Sequence, residues 1–302
     1  VAVYYPAIMH TDADGNSIVV DAEADRGDAP YPLILTGTNT GRYLFMSHLA
    51  SYGFVMAIVV LPDTYDAWDF QVVDHPRDFL FALDQIADNP PHGLEGIIDT
   101  DNVGVGGYSG DGFISLALSG VSIDPEFYLS HCETAKEKYP DFSEWYIEFS
   151  CNLAKKWDAF VVHVGDYIQV GEDGLWEPIS DERIRAVMPM AADSGWLYGD
   201  RGLSMADRPV FMIAPTDDEY SPYHIETAFI FKNYGAAEKY MVSFVGKTHM
   251  MVLQTEPARQ LNHFAVAFFG YYLQGKTDYA QYFSPEFVSQ FKGLAWGMYE
   301  GD

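Results

Sequence analysis

The chain has few basic residues, few cysteines and no long apolar run, and each shortage narrows what it can do. Its 302 residues hold 17 Lys and Arg against 44 Asp and Glu, a formal net charge of −27 at pH 7. Such a surface repels nucleic acid phosphates and anionic membrane surfaces, so neither is an expected partner. The acidity reads as a solubility or salt-tolerance surface. No run of about 18 apolar residues occurs, so no membrane span is expected. Val1 to Pro6 already follow a strand pattern, with neither an initiator methionine nor a signal peptide, and the expectation is that a leader or an extension has been trimmed. The two cysteines, Cys132 and Cys151, fit no metal-ligand spacing and lie in one expected helical segment. A disulfide, which would favour a secreted or periplasmic protein, and two inert thiols of a cytoplasmic one both remain open.

What is present is a large apolar fraction, 48% of residues, enough for one sizeable α/β domain. Apolar strands are expected at 32–36, 54–61, 103–108, 185–191, 209–214 and 240–245, alternating with helical periods. Residues 1–5 and 17–21 read as an edge hairpin, and a helix is expected to start at Pro76 after Asp74. This alternation predicts an α/β fold with a mostly parallel central sheet flanked by helices. Residues 1–122 and 182–302 would form its core. Residues 123–181 would be a helical cap insertion, opened by Asp124 and Pro125 and carrying Trp145, Phe149, Leu153 and Trp157 on one helical face.

The most informative stretch is Gly106-Gly107-Tyr108-Ser109-Gly110-Asp111-Gly112, where a strand meets a helix at a serine with small neighbours. A serine on so sharp a turn projects its hydroxyl outward, and the next amide, of Gly110, lies at a helix N-terminus. A serine hydroxyl is a weak nucleophile at neutral pH; it needs a base, and the base needs an orienting acid. In parallel sheets such groups sit in loops after the carboxyl ends of strands. The loop after the strand at 209–214 offers Asp217, Asp218 and Glu219. The loop after the strand at 240–245 offers His249, the one histidine of nine that follows a central strand through a turning glycine, Gly246. Asp193, after the preceding strand, is a weaker candidate acid.

Together these motifs resemble the α/β-hydrolase superfamily, and within it the predicted dienelactone hydrolase group, itself similar to platelet-activating-factor acetylhydrolases and polyester hydrolases. The resemblance runs in order through Tyr4-Tyr5-Pro6-Ala7, Leu33-Ile34-Leu35-Thr36-Gly37, Leu49-Ala50-Ser51-Tyr52-Gly53, Gly107-Tyr108-Ser109-Gly110, Asp181-Glu182-Arg183-Ile184-Arg185-Ala186-Val187 and Gly246-Lys247-Thr248-His249. It implies Ser109 as nucleophile, His249 as general base and Asp218 as orienting acid, the last because a proline, Pro222, follows four positions later. It implies an oxyanion hole from the amides of Gly110 and Thr38. Two positions depart from the pattern. Asp111 stands where relatives carry glycine, and Thr36-Gly37-Thr38 where His-Gly is frequent. Members that cleave dienelactones use a cysteine where this chain has Ser109.

The expected reaction is hydrolysis of small to medium esters through an acyl-enzyme, with no metal or organic cofactor. Tyr65, Trp68, Trp196 and Tyr220 lie in expected loops at the same edge and are candidates to line an apolar substrate pocket. Polyester hydrolysis, amide or peptide cleavage, and ligand binding without turnover on the same fold are the rival readings. Oligomeric state is open.

Overall fold

The computed structural model describes residues 1–8, 21–61 and 68–301. In chain order the elements are β1 (Ala2–Tyr4), β2 (Tyr31–Gly37), α1 (Thr38–Gly41), α2 (Met46–Ala50), β3 (Val55–Val59), α3 (Gln71–Asp88), β4 (Ile98–Tyr108) and α4 (Gly110–Ala117). Helices α5 (Pro125–Lys138), α6 (Glu144–Ser150) and α7 (Trp157–Val164) follow before the chain returns to the sheet at β5 (Ile184–Met190). The remainder runs α8 (Gly195–Leu203), β6 (Val210–Pro215), α9 (Thr227–Asn233), β7 (Lys239–Phe244), α10 (Thr255–Gln274), α11 (Pro285–Val288) and β8 (Leu294–Trp296).

The eight strands form one sheet in the order β1-β3-β2-β4-β5-β6-β7-β8. Only the edge pairs β1–β3 and β7–β8 are antiparallel; the pairs between them are parallel. This is the expected α/β class with a mostly parallel sheet. Side chains alternate across the strands, so each strand feeds two cores. Leu33, Leu35, Val103, Val105, Val210 and Met212 face the side covered by α3, α4, α5, α8 and α9. Ile34, Met56, Phe211 and Ile213 face α2, α10 and α11. On β4 the second face is made of glycines: a Cβ on Gly104 would lie 2.7 Å from the Phe269 ring of α10. Those glycines let a helix ring lie against the strand that carries Ser109.

Helices α5, α6 and α7 pack into the first of these cores through Tyr128, Tyr146 and Phe160, joined there by Trp176. Asp124 caps α5 as its position suggested, accepting the Phe127 amide at 3.1 Å. Cys132 of α5 and Cys151, just past α6, form a disulfide with a Cα–Cα distance of 5.5 Å. That closes one of the questions the sequence left open.

Two expectations need correction. Helix α3 begins at Gln71, and Pro76 lies inside it; Phe70 and Asp69 carbonyls start the turn instead, and the bond that Pro76 cannot donate falls one turn in. The stripe from Trp145 to Trp157 is not one helical face. A 3-10 turn at Leu153–Lys156 separates α6 from α7, so Trp145 and Phe149 stack together while Trp157 packs on Tyr128 and Trp176. The edge strand β8 carries no periodic signal in the sequence, because three residues are too few to show one. The expected strand at 17–21 lies outside the described residues except for Asp21, which is in a turn. Among the described residues no helix is long and apolar enough to cross a membrane.

Candidate active site

β4 ends at Tyr108 and α4 begins at Gly110, so Ser109 makes the whole turn, with φ 59° and ψ −125°. That conformation is strained for a residue with a side chain and persists only where its surroundings fix it. Ser109 donates its amide to the Met190 carbonyl and accepts from the Phe113 amide, both at 2.9 Å. The neighbouring glycines serve close approach. A Cβ on Gly107 would lie 2.2 Å from the Asp111 carbonyl oxygen, and one on Gly112 2.6 Å from that of Met190.

Two further strand ends deliver the partners. Beyond β6, Asp218 is buried and its Oδ1 accepts the amides of Tyr220 at 2.9 Å and Ser221 at 2.8 Å. Beyond β7, the chain turns at Gly246, φ 68°, and brings in His249. His249 Nδ1 lies 2.8 Å from Asp218 Oδ2 and 3.0 Å from Oδ1, and its Nε2 lies 2.9 Å from Ser109 Oγ. A carboxylate only accepts, so Nδ1 carries the proton and the Nε2 lone pair faces the serine hydroxyl. The backbone of His249 is held as well: its amide donates to Glu219 Oε2 at 3.0 Å and its carbonyl accepts the Tyr108 hydroxyl at 2.6 Å. Asp217 is exposed and takes the Thr216 hydroxyl at 3.1 Å, so of the three carboxylates in this loop Asp218 is the one brought to the histidine ring.

Asp111 points across to the turn after β2. Its Oδ2 accepts the Thr40 amide at 2.7 Å and the Thr40 hydroxyl at 2.8 Å, while that hydroxyl accepts the Tyr108 amide at 2.8 Å. The turn that follows β2 is thereby tied to the serine turn through a carboxylate 71 residues away in sequence. Gly37 is required by the same contact, since a Cβ there would sit 2.0 Å from Asp111 Oδ1. Burial pushes the Asp111 carboxyl up to about 6, against the lowering effect of the Thr40 and Asn39 donors. Thr38 opens α1 beside this contact. Gly110 opens α4, where first-turn amides have no helical partner.

A cavity of about 300 Å³ lies over Ser109 and is lined by Gly110, Asn39, Trp68, Tyr220 and His249, among others. Of the expected pocket residues, Trp68 and Tyr220 line this cavity, and Tyr65 lies outside the described residues. Trp196, also expected there, is not among the residues lining this cavity. It is only 2% exposed and is boxed by His131, Tyr139 and Tyr146, because α8 turns its first residues toward α5 rather than toward the serine. Trp145, Phe149, Asp193, Ser221 and Met250 also line the cavity and were missed as pocket residues. Met250 and Ser221 were within reach, being one residue past His249 and three past Asp218. Trp145 and Phe149 arrive from α6, and no local pattern could have placed them there.

The chain matches no protein-family model, and no curated protein matches it.

Proposed function

We propose that the chain is a serine carboxylic ester hydrolase of the α/β-hydrolase superfamily, similar to the dienelactone hydrolase and platelet-activating-factor acetylhydrolase group. One observation carries the reading: the hydrogen-bonded sequence Ser109 Oγ, His249 Nε2, His249 Nδ1 and Asp218, with the serine on a strained turn at the carboxyl end of a central parallel strand. A receptor has no need of a hydroxyl aligned with a base.

In the proposed reaction Ser109 Oγ attacks the ester carbonyl while His249 Nε2 takes its proton, and Asp218 holds the imidazolium that forms. The amides of Gly110 and Thr38 receive the oxyanion. His249 then passes the proton to the departing alcohol. Water, deprotonated by the same imidazole, releases the acid from Ser109. The insertion at 123–181 acts as a partial cap, supported by the two aromatic rings it lends to the cavity, and favours compact esters over polymer chains. The disulfide supports an oxidising compartment as the working location.

The test is hydrolysis of p-nitrophenyl butyrate, together with labelling by a fluorophosphonate. The native protein is expected to turn over and to label at Ser109. Ser109→Ala should lose at least about 1000-fold in kcat and all labelling. Equal rates for the two proteins would dispose of the proposal, and an anilide run in parallel separates esterase from amidase.

A further inference from the structure

The cavity over Ser109 contains a carboxylate that the reaction above does not use. Asp193 lies beyond the carboxyl end of β5 and lines the cavity together with Ser109 and His249. It is 8% exposed, and its Oδ1 is buried with no hydrogen-bond partner among the described residues. Two other buried carboxylates stand near it, and both are provided for. Asp218 has His249 and two amides. Glu226 accepts the Gly195 amide at 2.8 Å and the Tyr146 hydroxyl. Burial, followed by the fields of Glu226 and Asp218, drives the Asp193 carboxyl well above its ordinary range. Its own amide and the Ser194 hydroxyl offset this only in part, and a buried acid with one oxygen unpaired, beside two other acids, is a costly arrangement for stability alone.

The remaining walls suit a cation. Trp145 stacks on Phe149 at 5.1 Å and meets the Tyr220 ring edge-on at 5.8 Å, while Phe149 touches Trp68 at 5.5 Å. These four rings and Asp193 all line one cavity, in which no Lys or Arg takes part among the described residues. Aromatic faces attract ammonium groups, most strongly where water is excluded. Two neutral groups of the lining, Trp68 Nε1 and Ser221 Oγ, also lack partners among the described residues; they add polarity without adding charge.

We propose that Asp193 is the recognition group for a protonated amine, and that the substrates are esters carrying an ammonium group within a few bonds of the carbonyl. An ammonium with an N–H supplies the donor that Oδ1 lacks and favours the ionised carboxyl, so the proton that burial holds on the free acid leaves to solvent as the substrate binds. The aromatic walls cover the alkyl substituents of the ammonium. The inference rests on the esterase reading.

The test compares two esters of the same shape, 2-(dimethylamino)ethyl butyrate, which is protonated at neutral pH, and 3-methylbutyl butyrate, with acid release followed in a pH-stat. The native protein is expected to favour the ammonium ester by about tenfold or more in kcat/KM, mainly through KM, and less so at high salt. In Asp193→Asn the ratio should fall toward one. A ratio near one in the native protein overturns the proposal whether or not the variant folds, while leaving the esterase reading intact. A ratio near one with Asp193→Asn slowing both esters alike would mean that the carboxyl donates to the ester instead, and also overturns it. Hydrolysis of neither ester, with no fluorophosphonate labelling, defeats both readings. Butyrylcholine serves as a third substrate. If it outpaces the tertiary ammonium, charge alone is recognised and the assigned N–H contact to Asp193 is wrong.

Discussion

At the scale of single residues, Asp111 shows how a departure from a familiar pattern acquires a physical reason. A glycine at that position would leave the Thr40 amide and hydroxyl without their shared acceptor. The carboxylate instead couples the turn bearing Thr38 to the turn bearing Ser109. The arrangement carries a pH signature. An unfolded chain releases the Asp111 proton near the ordinary aspartate value, about 4, whereas the folded protein holds it to about 6 because of burial. The folded state therefore binds more protons between these values, and stability falls as pH rises from about 4 to about 6, then levels. Asp111→Asn has no proton to lose. The unfolding free energy of the native protein relative to this variant should decline by roughly 2 to 3 kcal/mol across that window, measured by urea titration at several pH values. A difference that stays constant with pH would show that the carboxyl is not perturbed.

At the scale of elements, the return journey from α4 to β5 is the distinctive feature, and its disulfide is its clearest mechanical tie. Cys132 and Cys151 are separated by 19 residues, and closing a loop of that size in the unfolded chain is worth about 3 kcal/mol in a chain-entropy account. The double variant Cys132→Ser/Cys151→Ser is expected to unfold at lower urea by that order, and a thiol reductant should have the same effect on the native protein. No change on reduction would mean that α5 and α6 are held by packing alone. Which elements form was largely readable, since each parallel strand is an apolar run between turn signals. What failed were boundaries set by non-local partners. Pro76 looks like a helix start in isolation, but α3 gains an earlier turn by packing Val72 and Val73 into the core. The aromatic period from Trp145 to Trp157 is a real spacing on a path that bends between α6 and α7.

At the scale of the whole molecule, charge is the dominant fact. With a net charge of −27 and its carboxylates far outnumbering its cations, the compact state carries more self-repulsion than the expanded one. Added sodium chloride screens this repulsion at the Debye scale, about 10 Å at 0.1 M and about 3 Å at 1 M. The melting temperature should therefore rise with salt, by calorimetry at neutral pH. A flat or falling melting temperature would mean that the surface ion pairs, such as Arg183 with Asp181 and Asp84, outweigh the repulsion.

The sequence by itself determined the fold class, the turn at Ser109 and the loops that hold Asp218 and His249, because each is written in local chemistry: apolar strands, a glycine-flanked serine, polar residues just past strand ends. It left the cysteines undecided and Asp111 without a reason, and it placed Trp196 in the pocket. The tertiary structure alone decided those points, together with the rings of Trp145 and Phe149 and the buried carboxyl of Asp193 that complete the cavity. Their roles arise from segments far apart in the chain that meet only when the sheet closes its layers, and no spacing along the chain records that meeting.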